Sequence, residues 1–218
     1  MDPTGSHLME VILESLVSSS RHQGQVNMIW DEIGSKFKEL LKARKPGVIA
    51  SLIGACRHFQ MHQSECCRAL AHAVNSNTAS PNCIVPRILH LENFSCGTGR
   101  SEWQWPSGDK MSVLGSVMLQ IIFNYPSDFI QQFFSSFASM EIDHILEAAK
   151  EPGGSRVIEA FLSSNAPLKH KHRVISKLRG HFGELAQRPS SSFTVSKCFL
   201  TADVALKEVI ASESPTWK

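Results

Sequence analysis

One segment of the chain repeats itself at a fixed interval of 37 residues, and this repeat limits the folds that the sequence can adopt. Five residues recur at this interval: His144, Glu147, Ala149, Pro152 and Ser155 are matched by His181, Glu184, Ala186, Pro189 and Ser192. A repeating unit of this size, with room for two or three helices, is typical of a solenoid, in which each unit buries its apolar face against its neighbours. The sequence therefore predicts an all-α solenoid.

Further copies of the unit precede this pair. Residues 3–10 match residues 152–159, residues 115–120 form a weaker copy, and residues 45–50 retain only the apolar spacing. We therefore predict one curved, partial array over residues 1–213, with about four to five units of which the terminal ones are incomplete. Its serine-led or equivalent helices begin near residues 6, 46, 116, 155 and 192, and residues 214–218 form a tail.

The spacing between the second and third copies is longer by an insertion at about residues 79–110. Prolines and glycines interrupt any helical period there, although apolar residues and the pair Trp103 and Trp105 remain. This composition is more typical of a loop packed on the solenoid than of a free linker. We expect the two tryptophans to anchor the insertion, with stacking on a base as the alternative.

Both ends of the chain fall inside units. The chain starts immediately before a serine-led helix, and residues 202–212 resemble the first helix of a further unit. Solenoids cover the apolar faces of their terminal units with capping repeats, which this pattern lacks. We therefore expect the chain to be a piece of a longer array.

Helical periodicity is present on both sides of the insertion. Apolar residues recur at three-to-four spacing, as at Phe129, Phe133 and Phe137, which we expect in the core. No segment shows the alternating apolar and polar pattern of β-strands. The predicted helices cover residues 26–42, 46–59, 64–74, 111–124, 127–137 and 142–150.

Composition and motifs exclude several classes of protein. The net charge of +2 gives no global attraction to polyanions, so a nucleic-acid surface must come from local clusters. The N-terminus lacks the basic and apolar segments of a secretory signal. The longest nearly apolar run, residues 113–123, is shorter than the roughly 20 residues that cross a bilayer. We predict a soluble intracellular protein that does not bind membranes.

The sequence contains no motif of an enzyme or of a metal centre. It lacks a phosphate-binding glycine loop, a GxSxG elbow and an HExxH pair. Its six cysteines form no CxxC pair, and Cys56, His58, His62 and Cys66 only loosely resemble a ligand set. We predict no enzymatic activity, no cofactor and no metal, and we expect reduced, buried cysteines.

Four serine-led segments share one five-residue form: residues 6–10 (SHLME), 116–120 (SVMLQ), 155–159 (SRVIE) and 192–196 (SFTVS). They resemble the RNA-reading element of Pumilio (PUF) repeats. The runs GSRVIEAFL, KLRGHFGELA and SSSFTVSKCF, together with the long insertion, are similar to the divergent nucleolar branch of that family. The resemblance covers nearly the whole chain and is weakest around residues 45–74.

The chemistry of this element agrees with its spacing. Residues four apart on a helix lie on one face, so the first and fifth residues of the element can meet one flat base edge. A carboxylate offers only acceptors, which suit the donors of guanine, whereas an amide offers a donor and an acceptor. The resemblance implies that Ser6 with Glu10 and Ser155 with Glu159 read guanine, and that Ser116 with Gln120 reads adenine. It also implies that the second residue stacks on bases, as His7, Arg156 and Phe193 would.

Three units depart from the family pattern. Ser192 is paired with Ser196 where an acid or an amide is expected, so this unit should discriminate poorly between bases. Val117 is aliphatic at a stacking position. The unit near residue 46 has no base-reading side chain and is expected to be structural, since Pro46, Gly47 and Ala50 occupy the three reading positions.

A basic cluster near the C-terminus is a candidate for contacts to RNA phosphates, which would add affinity that falls with salt. A solvated helix face is the alternative interpretation of these residues. The cluster contains Lys169, Lys171, Arg173, Lys177 and Arg179.

The sequence is also compatible with two alternatives to base reading. A serine before an apolar helix is often an N-cap, although here the acid follows the serine by four positions and not by the three of a capping box. The array could also be a scaffold that binds proteins, or one that has lost RNA binding. A protein-binding face would show exposed apolar residues, whereas these positions are polar or suited to stacking.

The resemblance implies sequence-selective binding of single-stranded RNA, with a ribosomal RNA precursor as the natural target. It further implies a nuclear and nucleolar protein that acts in rRNA processing and small-subunit biogenesis, with a cytoplasmic pool as an alternative. We expect a monomer whose protein partners are those of pre-ribosomal particles. In PUF proteins the RNA runs antiparallel to the repeats, so the elements at Ser155 and Ser116 should read G and then A, and the element at Ser6 should read G nearer the 3′ end.

Overall fold

The structure, a computed structural model, describes residues 3–18, 20–75, 83–91, 104–106 and 108–214. All regular elements in these ranges are helical, and none of the helices has the length and apolar character needed to cross a membrane. Two short 3-10 helices, Ser20–His22 and Ser127–Phe129, precede α2 and α8. The α-helices are α1 (Pro3–Leu16), α2 (Gln23–Ile33), α3 (Phe37–Lys42), α4 (Pro46–His58), α5 (Gln63–Val74), α6 (Ile84–Leu89), α7 (Val113–Ile122), α8 (Gln131–Ser139), α9 (Ile142–Lys150), α10 (Pro152–Ser163), α11 (Leu168–Ser176), α12 (Phe182–Ala186), α13 (Ser192–Thr201) and α14 (Val204–Glu213).

Five helices stack side by side in chain order, α1 against α4, α4 against α7, α7 against α10 and α10 against α13. We call them the inner row. They are the helices expected near residues 6, 46, 116, 155 and 192, and their first residues are Pro3, Pro46, Val113, Pro152 and Ser192. Proline suits the first turn of a helix because its missing N–H has no intrahelical partner there. Consecutive units thus bury their apolar faces against each other, as in a solenoid.

The third helices of the units form an outer row, α2, α5, α8, α11 and α14. Helix α11 packs against α8. Side chains link other neighbours, since His62 Nε2 lies 2.7 Å from Asn27 Oδ1 between α5 and α2. The imidazole of His172 on α11 lies 3.6 Å from the Asp203 carboxylate, which also accepts the Leu206 N–H at the start of α14. Short first helices, α3, α6, α9 and α12, complete the units.

Phenylalanines fill the space between the two rows in the middle of the array. The rings of Phe123 and Phe161 lie 5.4 Å apart, and those of Phe137 and Phe161 lie 4.7 Å apart. Phe133 and Phe137 are fully buried, as the sequence predicts. The prediction is wrong for Phe129, which is 40% exposed. This residue ends a 3-10 helix, whose three-residue turn moves the side chain off the apolar face of α8.

The single helix predicted over residues 26–42 is two helices. Helix α2 ends at Ile33, and α3 starts at Phe37 after a turn. Gly34 follows α2 directly beneath the indole of Trp30, where a Cβ would lie 2.6 Å from Trp30 Cε2. Periodicity could not show this break, because apolar residues continue at helical spacing on both sides of it.

Helix α14 corrects the expectation that residues 202–212 begin a further unit. It packs against α12 and α13 of the unit that precedes it. The carboxylate of Glu213 accepts hydrogen bonds from the N–H groups of Gly180, at 2.9 Å, and Phe182, at 3.2 Å. These contacts make α14 the third helix of the last unit, equivalent to α11 in the unit before it.

The proposed insertion at residues 79–110 contains helix α6. Its Ile84, Val85, Ile88 and Leu89 are buried, and it packs against α7 and α8. The N–H of Val85 donates to Ser136 Oγ on α8 at 3.0 Å. Helix α6 therefore serves as the first helix of the third unit, so the described part of the extra chain lies between α6 and α7.

Trp105 attaches this extra chain to the start of the fourth unit. Its indole stacks on His144 of α9 at 4.4 Å, meets His90 edge to face at 4.4 Å, and donates its N–H to Glu147 Oε2 at 2.9 Å. The other Glu147 oxygen accepts the Gly108 N–H at 3.3 Å. Trp105 is an anchor and not an exposed stacking surface, whereas Trp103 lies outside the described residues.

Candidate nucleic-acid interface

Three of the leading serines, Ser6, Ser116 and Ser155, lie three residues inside their helices, whereas Ser192 is the first residue of α13 and follows the cap residue. Helix α10 begins at Pro152, three residues before Ser155, whose buried hydroxyl donates to the Pro152 carbonyl at 3.0 Å. The cap of α7 is Ser112, which accepts the Gly115 N–H at 3.2 Å. A serine that caps a helix accepts a backbone N–H, which the Ser155 hydroxyl does not do. The geometry excludes the capping interpretation for Ser155.

Ser116 presents a polar group that the fold does not use. It is 2% exposed, and its hydroxyl has no hydrogen-bond partner among the described residues. A Cβ on Gly153 of α10 would lie 2.8 Å from this hydroxyl, so the glycine leaves room for it. Buried hydroxyls are normally paired, and an unpaired one in an inner-row helix is consistent with a group kept for a ligand.

The fifth residues of the elements adopt three different arrangements. Glu159 Oε1 accepts the hydroxyl of Thr194 from α13 at 2.9 Å. Gln120 folds onto its own helix and donates to the Ser116 carbonyl at 3.1 Å. The Glu10 carboxylate lies against Gly47 of α4, where a Cβ would come within 2.6 Å of Glu10 Cδ. In the last unit, Ser196 donates to the carbonyl of Ser192 at 3.1 Å, and Ser192 in turn donates to the Pro189 carbonyl at 3.4 Å.

The second residues of the elements project into solvent. Phe193 is 72% exposed and Val117 is 39% exposed. His7 and Arg156 are also exposed, and Arg156 forms no ion pair with any described residue. An exposed guanidinium, phenyl or imidazole plane on this row is able to stack on a base.

Helix α4 differs from the other inner-row helices. Gly47, Val48, Ile49 and Ala50 are all buried within its first two turns. Pro46 is half-buried and supplies no polar side chain. The helix has a full set of contacts to α1 and α7 but no hydrogen-bonding side chain at the three reading positions. This arrangement is consistent with the structural role predicted for this unit.

The basic cluster lies on α11 and the turn after it, in the outer row. Lys171 donates to the Ser164 carbonyl at the end of α10 at 2.6 Å. Lys177 donates to the carbonyls of Ala138, at 2.8 Å, and Met140, which end α8. These ammonium groups satisfy carbonyls that helix ends leave unpaired.

The two capping lysines differ in charge environment from the rest of the cluster. Burial lowers the pKa of Lys171, and the nearby Lys197 lowers it further. Burial also lowers the pKa of Lys177, with a smaller contribution from Arg173 and an opposing one from Glu141. The three exposed members, which are free to meet phosphate, are Lys169, Arg173 and Arg179.

The described cysteines are free thiols, and those at positions 56, 66, 67 and 198 are buried. Burial raises the pKa of Cys67 to about 12, and burial with the adjacent Glu159 carboxylate raises the pKa of Cys198 to about 12. These thiols are therefore protonated at neutral pH. No group of three metal-binding side chains occurs within the described ranges.

Sequence reasoning missed two residues near the reading elements. Thr194 occupies the position that Val157 holds 37 residues earlier, and it points at Glu159. Lys197 is a half-buried cation on inner-row helix α13, close to Lys171. The sequence signal for Thr194 was a threonine at a position that is otherwise apolar. Lys197 gave no such signal, because its role depends on the approach of α11 to α13.

A family model described as NOP9-like PUF repeat domain matches residues 17–215. The chain belongs to this family. It is 46% identical over 202 residues to Pumilio homolog 23 of Arabidopsis thaliana, a match that covers 93% of this chain and 27% of that protein. It is 24% identical over 218 residues to Nucleolar protein 9 of Homo sapiens, over 92% of this chain and 34% of that protein. The chain thus spans about a quarter to a third of the length of these curated relatives.

Solved structures of APUM23 are similar to this NOP9-like chain over most of its length. A structure of APUM23 with GGAAUUGACGG matches with a TM-score of 0.86 and 46% identity, over 93% of this chain and 38% of that chain. APUM23 without its insert region, with the same RNA sequence, matches with a TM-score of 0.87 and 42% identity, over 97% of this chain and 48% of that chain. The predicted fold and the resemblance to PUF repeats are confirmed.

Proposed function

We propose that this chain binds single-stranded RNA along its inner row and selects bases with the first and fifth residues of its reading elements. The observation that carries the proposal is the placement of these pairs on helices that stack in chain order. One unit per base is the reading mode of PUF repeats. The pairs are Ser6 with Glu10, Ser116 with Gln120, Ser155 with Glu159 and, with weak discrimination, Ser192 with Ser196.

An antiparallel RNA gives these units a defined pattern. Helix α10 takes guanine, α7 takes adenine, α4 accepts any base and α1 takes guanine, so the pattern from 5′ to 3′ is G-A-n-G. The RNA sequence in the APUM23 structures, GGAAUUGACGG, contains this pattern once, as GACG. In that register, α13 meets the preceding U, on which Phe193 can stack. The agreement supports a register for this chain, since the fold is shared and the sequences are 46% identical over the matched region, which covers 93% of this chain and 38% of that chain.

His7 and Arg156 supply the other stacking surfaces in this proposal, and Lys169, Arg173 and Arg179 are the exposed cations for phosphate. Lys171 and Lys177 contribute mainly as helix caps, with long-range attraction for RNA. No step of this function needs a cofactor, a metal or catalysis, because recognition depends on hydrogen bonds, stacking and charge.

We further propose that the natural ligand is a ribosomal RNA precursor and that the chain acts, as a monomer, in rRNA processing and small-subunit biogenesis in the nucleolus. The name Nucleolar protein 9, carried by several relatives, supports this proposal. Protein partners would then be those of pre-ribosomal particles, and a cytoplasmic pool is the alternative location. A protein-binding scaffold is the second candidate, and the exposed Val113 and Val117 of α7 would suit it. The exposed His7 and Arg156 of α1 and α10 favour RNA instead.

Fluorescence anisotropy with the RNAs UUGACGG and UUAACGG tests the proposal directly. The second RNA replaces the guanine assigned to α10, and we expect it to bind roughly 5- to 150-fold more weakly, as for one wrong base contact. The double variant Ser155→Ala/Glu159→Gln should lose this preference and keep its salt dependence. Glu208→Gln, an exposed acid on α14, is the charge-matched control and should keep both. Equal binding of the two RNAs by a chain that is folded by circular dichroism would contradict base reading.

A further inference from the structure

The carboxylate of Glu159 is held by a residue of the next unit. Thr194 is fully buried between α10 and α13, and its hydroxyl lies 2.9 Å from Glu159 Oε1 and 3.4 Å from the Ser155 carbonyl. The shorter contact has the geometry of a strong hydrogen bond to a charged acceptor, whereas the longer one is at the limit for a hydrogen bond. Glu159 is therefore the principal partner of this hydroxyl.

Two other inner-row helices have no hydroxyl at this position. The equivalent residue in α10 is Val157, and in α7 it is Met118, and both are buried and apolar. Burying a hydroxyl in an apolar register is unfavourable unless it is hydrogen-bonded. A valine at position 194 would therefore pack equally well between α10 and α13, since it has the same shape as threonine but no hydroxyl.

We propose that Thr194 is a positioning residue for base selection, through which the last unit sets the orientation of the acid that reads guanine in the unit before it. The inference rests on the proposed function and adds a residue outside the reading elements. A hydrogen bond at Oε1 fixes the plane of the carboxylate, and Oε2 stays open to the donors of the base. A side chain held before binding loses less freedom on binding and tolerates less deviation in the donors that it meets.

The first unit contains a natural comparison for this arrangement. It has the same reading pair, Ser6 with Glu10, but in α4 the place of Thr194 is taken by Val48, which has no donor, and the carboxylate lies against Gly47. Gly47 makes room for the carboxylate and does not orient it by a side chain. The preference for guanine should consequently be stronger at the base read by α10 than at the base read by α1.

Two substitutions of Thr194 separate positioning from structure. Thr194→Val keeps the shape and removes the donor, whereas Thr194→Ser keeps the donor. Affinities are measured for UUGACGG, for UUAACGG, which changes the base at α10, and for UUGACAG, which changes the base at α1. We expect Thr194→Val to reduce the guanine preference at α10 by roughly two- to tenfold, as for the loss of one ordinary hydrogen bond, because the contact between Glu159 and the base is itself kept. The preference at α1 should stay unchanged, and Thr194→Ser should retain both.

The outcomes distinguish the inference from the function on which it rests. If the native chain shows no guanine preference at α10, the proposed function is wrong and the positioning role falls with it. If the native chain shows the preference and Thr194→Val keeps it in full, only the inference is wrong. A parallel loss at α1 and α10, with a lower unfolding midpoint by circular dichroism, would overturn the positioning role in favour of a structural one.

Discussion

Helices α4 and α10 occupy equivalent places in the inner row but have opposite chemistry. Both start with proline, and both pack against inner-row helices on two sides. Helix α10 has Ser155, Glu159 and the exposed Arg156 at its reading positions, whereas the first two turns of α4 have only small and apolar residues there. Both helices therefore meet the requirements of folding, but only α10 has the side chains that the proposed RNA recognition needs.

The contrast shows that the buried and the reading positions of a unit vary independently. A solenoid unit needs apolar residues that face its neighbours, and α4 satisfies that need without polar groups. A polar side chain at such a position need not stabilise the fold, as the hydroxyl of Ser116 illustrates, which has no hydrogen-bond partner among the described residues. Loss of these polar residues in one unit is therefore compatible with an intact array, and under the proposed function it would remove one base from the recognised sequence.

The largest effect should come from breaking the close approach of α10 to α9. A Cβ at Gly154 would lie 2.7 Å from the Ala148 Cα, which is backbone and cannot rotate away. Gly154→Ala should therefore lower the free energy of unfolding by about 1–3 kcal/mol, measured in urea. In α4, Gly54→Ala is the matched control, because its Cβ would meet only Ile121 Cδ1 at 3.8 Å. That control should be neutral or stabilise by up to about 1 kcal/mol, and equal stability of the two variants would contradict the described approach.

The next effect concerns stacking on the two helices. Arg156→Ala should weaken binding of UUGACGG by about 1–3 kcal/mol, since it removes a stacking plane in the polar unit. Arg57→Ala removes the same charge from the exposed end of α4, where no base contact is expected. Fluorescence anisotropy titrations at two salt concentrations measure the affinity of both variants for UUGACGG. Equal losses for the two variants would mean that Arg156 acts only through its charge.

Helix α7 lies between α4 and α10 in chemistry as well as in space, because it keeps a polar pair but has Val117 at the stacking position. Val117→Arg should raise the affinity for UUGACGG by roughly 0.5–1 kcal/mol, as for a cation–π contact at an exposed site. Val113→Arg adds the same charge one turn earlier on an exposed residue of α7 and serves as the control. An equal gain from both would show that the effect is electrostatic and not stacking.

The smallest effect is a pH dependence near the α10 unit. His90 is 2% exposed and both of its ring nitrogens lack partners among the described residues. Burial lowers the pKa of His90, against the opposing effects of Glu147 and Asp109, and burial also lowers the pKa of His144. The unfolded chain then takes up protons first, so stability should be constant above about pH 7 and fall as the pH drops through 6.5 and below.

Urea unfolding between pH 7.5 and 5 measures this dependence, and hydrogen exchange near Trp105 locates it. His90→Leu should flatten the pH profile, because it removes the imidazole with the more strongly buried ring. His58→Leu replaces an exposed histidine on α4 and should leave the profile as it is in the native chain. A profile that is unchanged by His90→Leu would contradict the assignment to this cluster.

Much of the fold could be predicted because the repeat reports on local structure. The 37-residue register located the inner-row helices, since the same apolar positions face the neighbours in each unit. It could not show that α14 folds back on α12, because that depends on the Glu213 carboxylate meeting backbone N–H groups more than thirty residues away. The exposure of Phe129 was missed for a related reason, as apolar spacing does not distinguish a 3-10 turn from an α-helix.

The candidate site was predictable to a smaller extent. The serine-led pairs are local in sequence, so the helices that carry them follow from the register, and their role in reading bases stays a prediction. The roles of the lysines depend on tertiary contacts, and Lys171 and Lys177 were indistinguishable in sequence from the exposed Arg173. Thr194 was hidden for the same reason, because its partner is in another unit.

The Lys177 contact has a mechanical consequence for the array. Its ammonium reaches from the turn after α11 to the last carbonyls of α8, at Ala138 and Met140, and so ties two consecutive outer helices together. The curvature of a solenoid depends on the angle between consecutive units. A contact between two outer-row helices limits how far the units that carry them can separate. We expect removal of this one charge to change the spacing between neighbouring units, and with it the fit of the proposed reading helices to successive bases, although Lys177 itself contacts no base in the proposed arrangement.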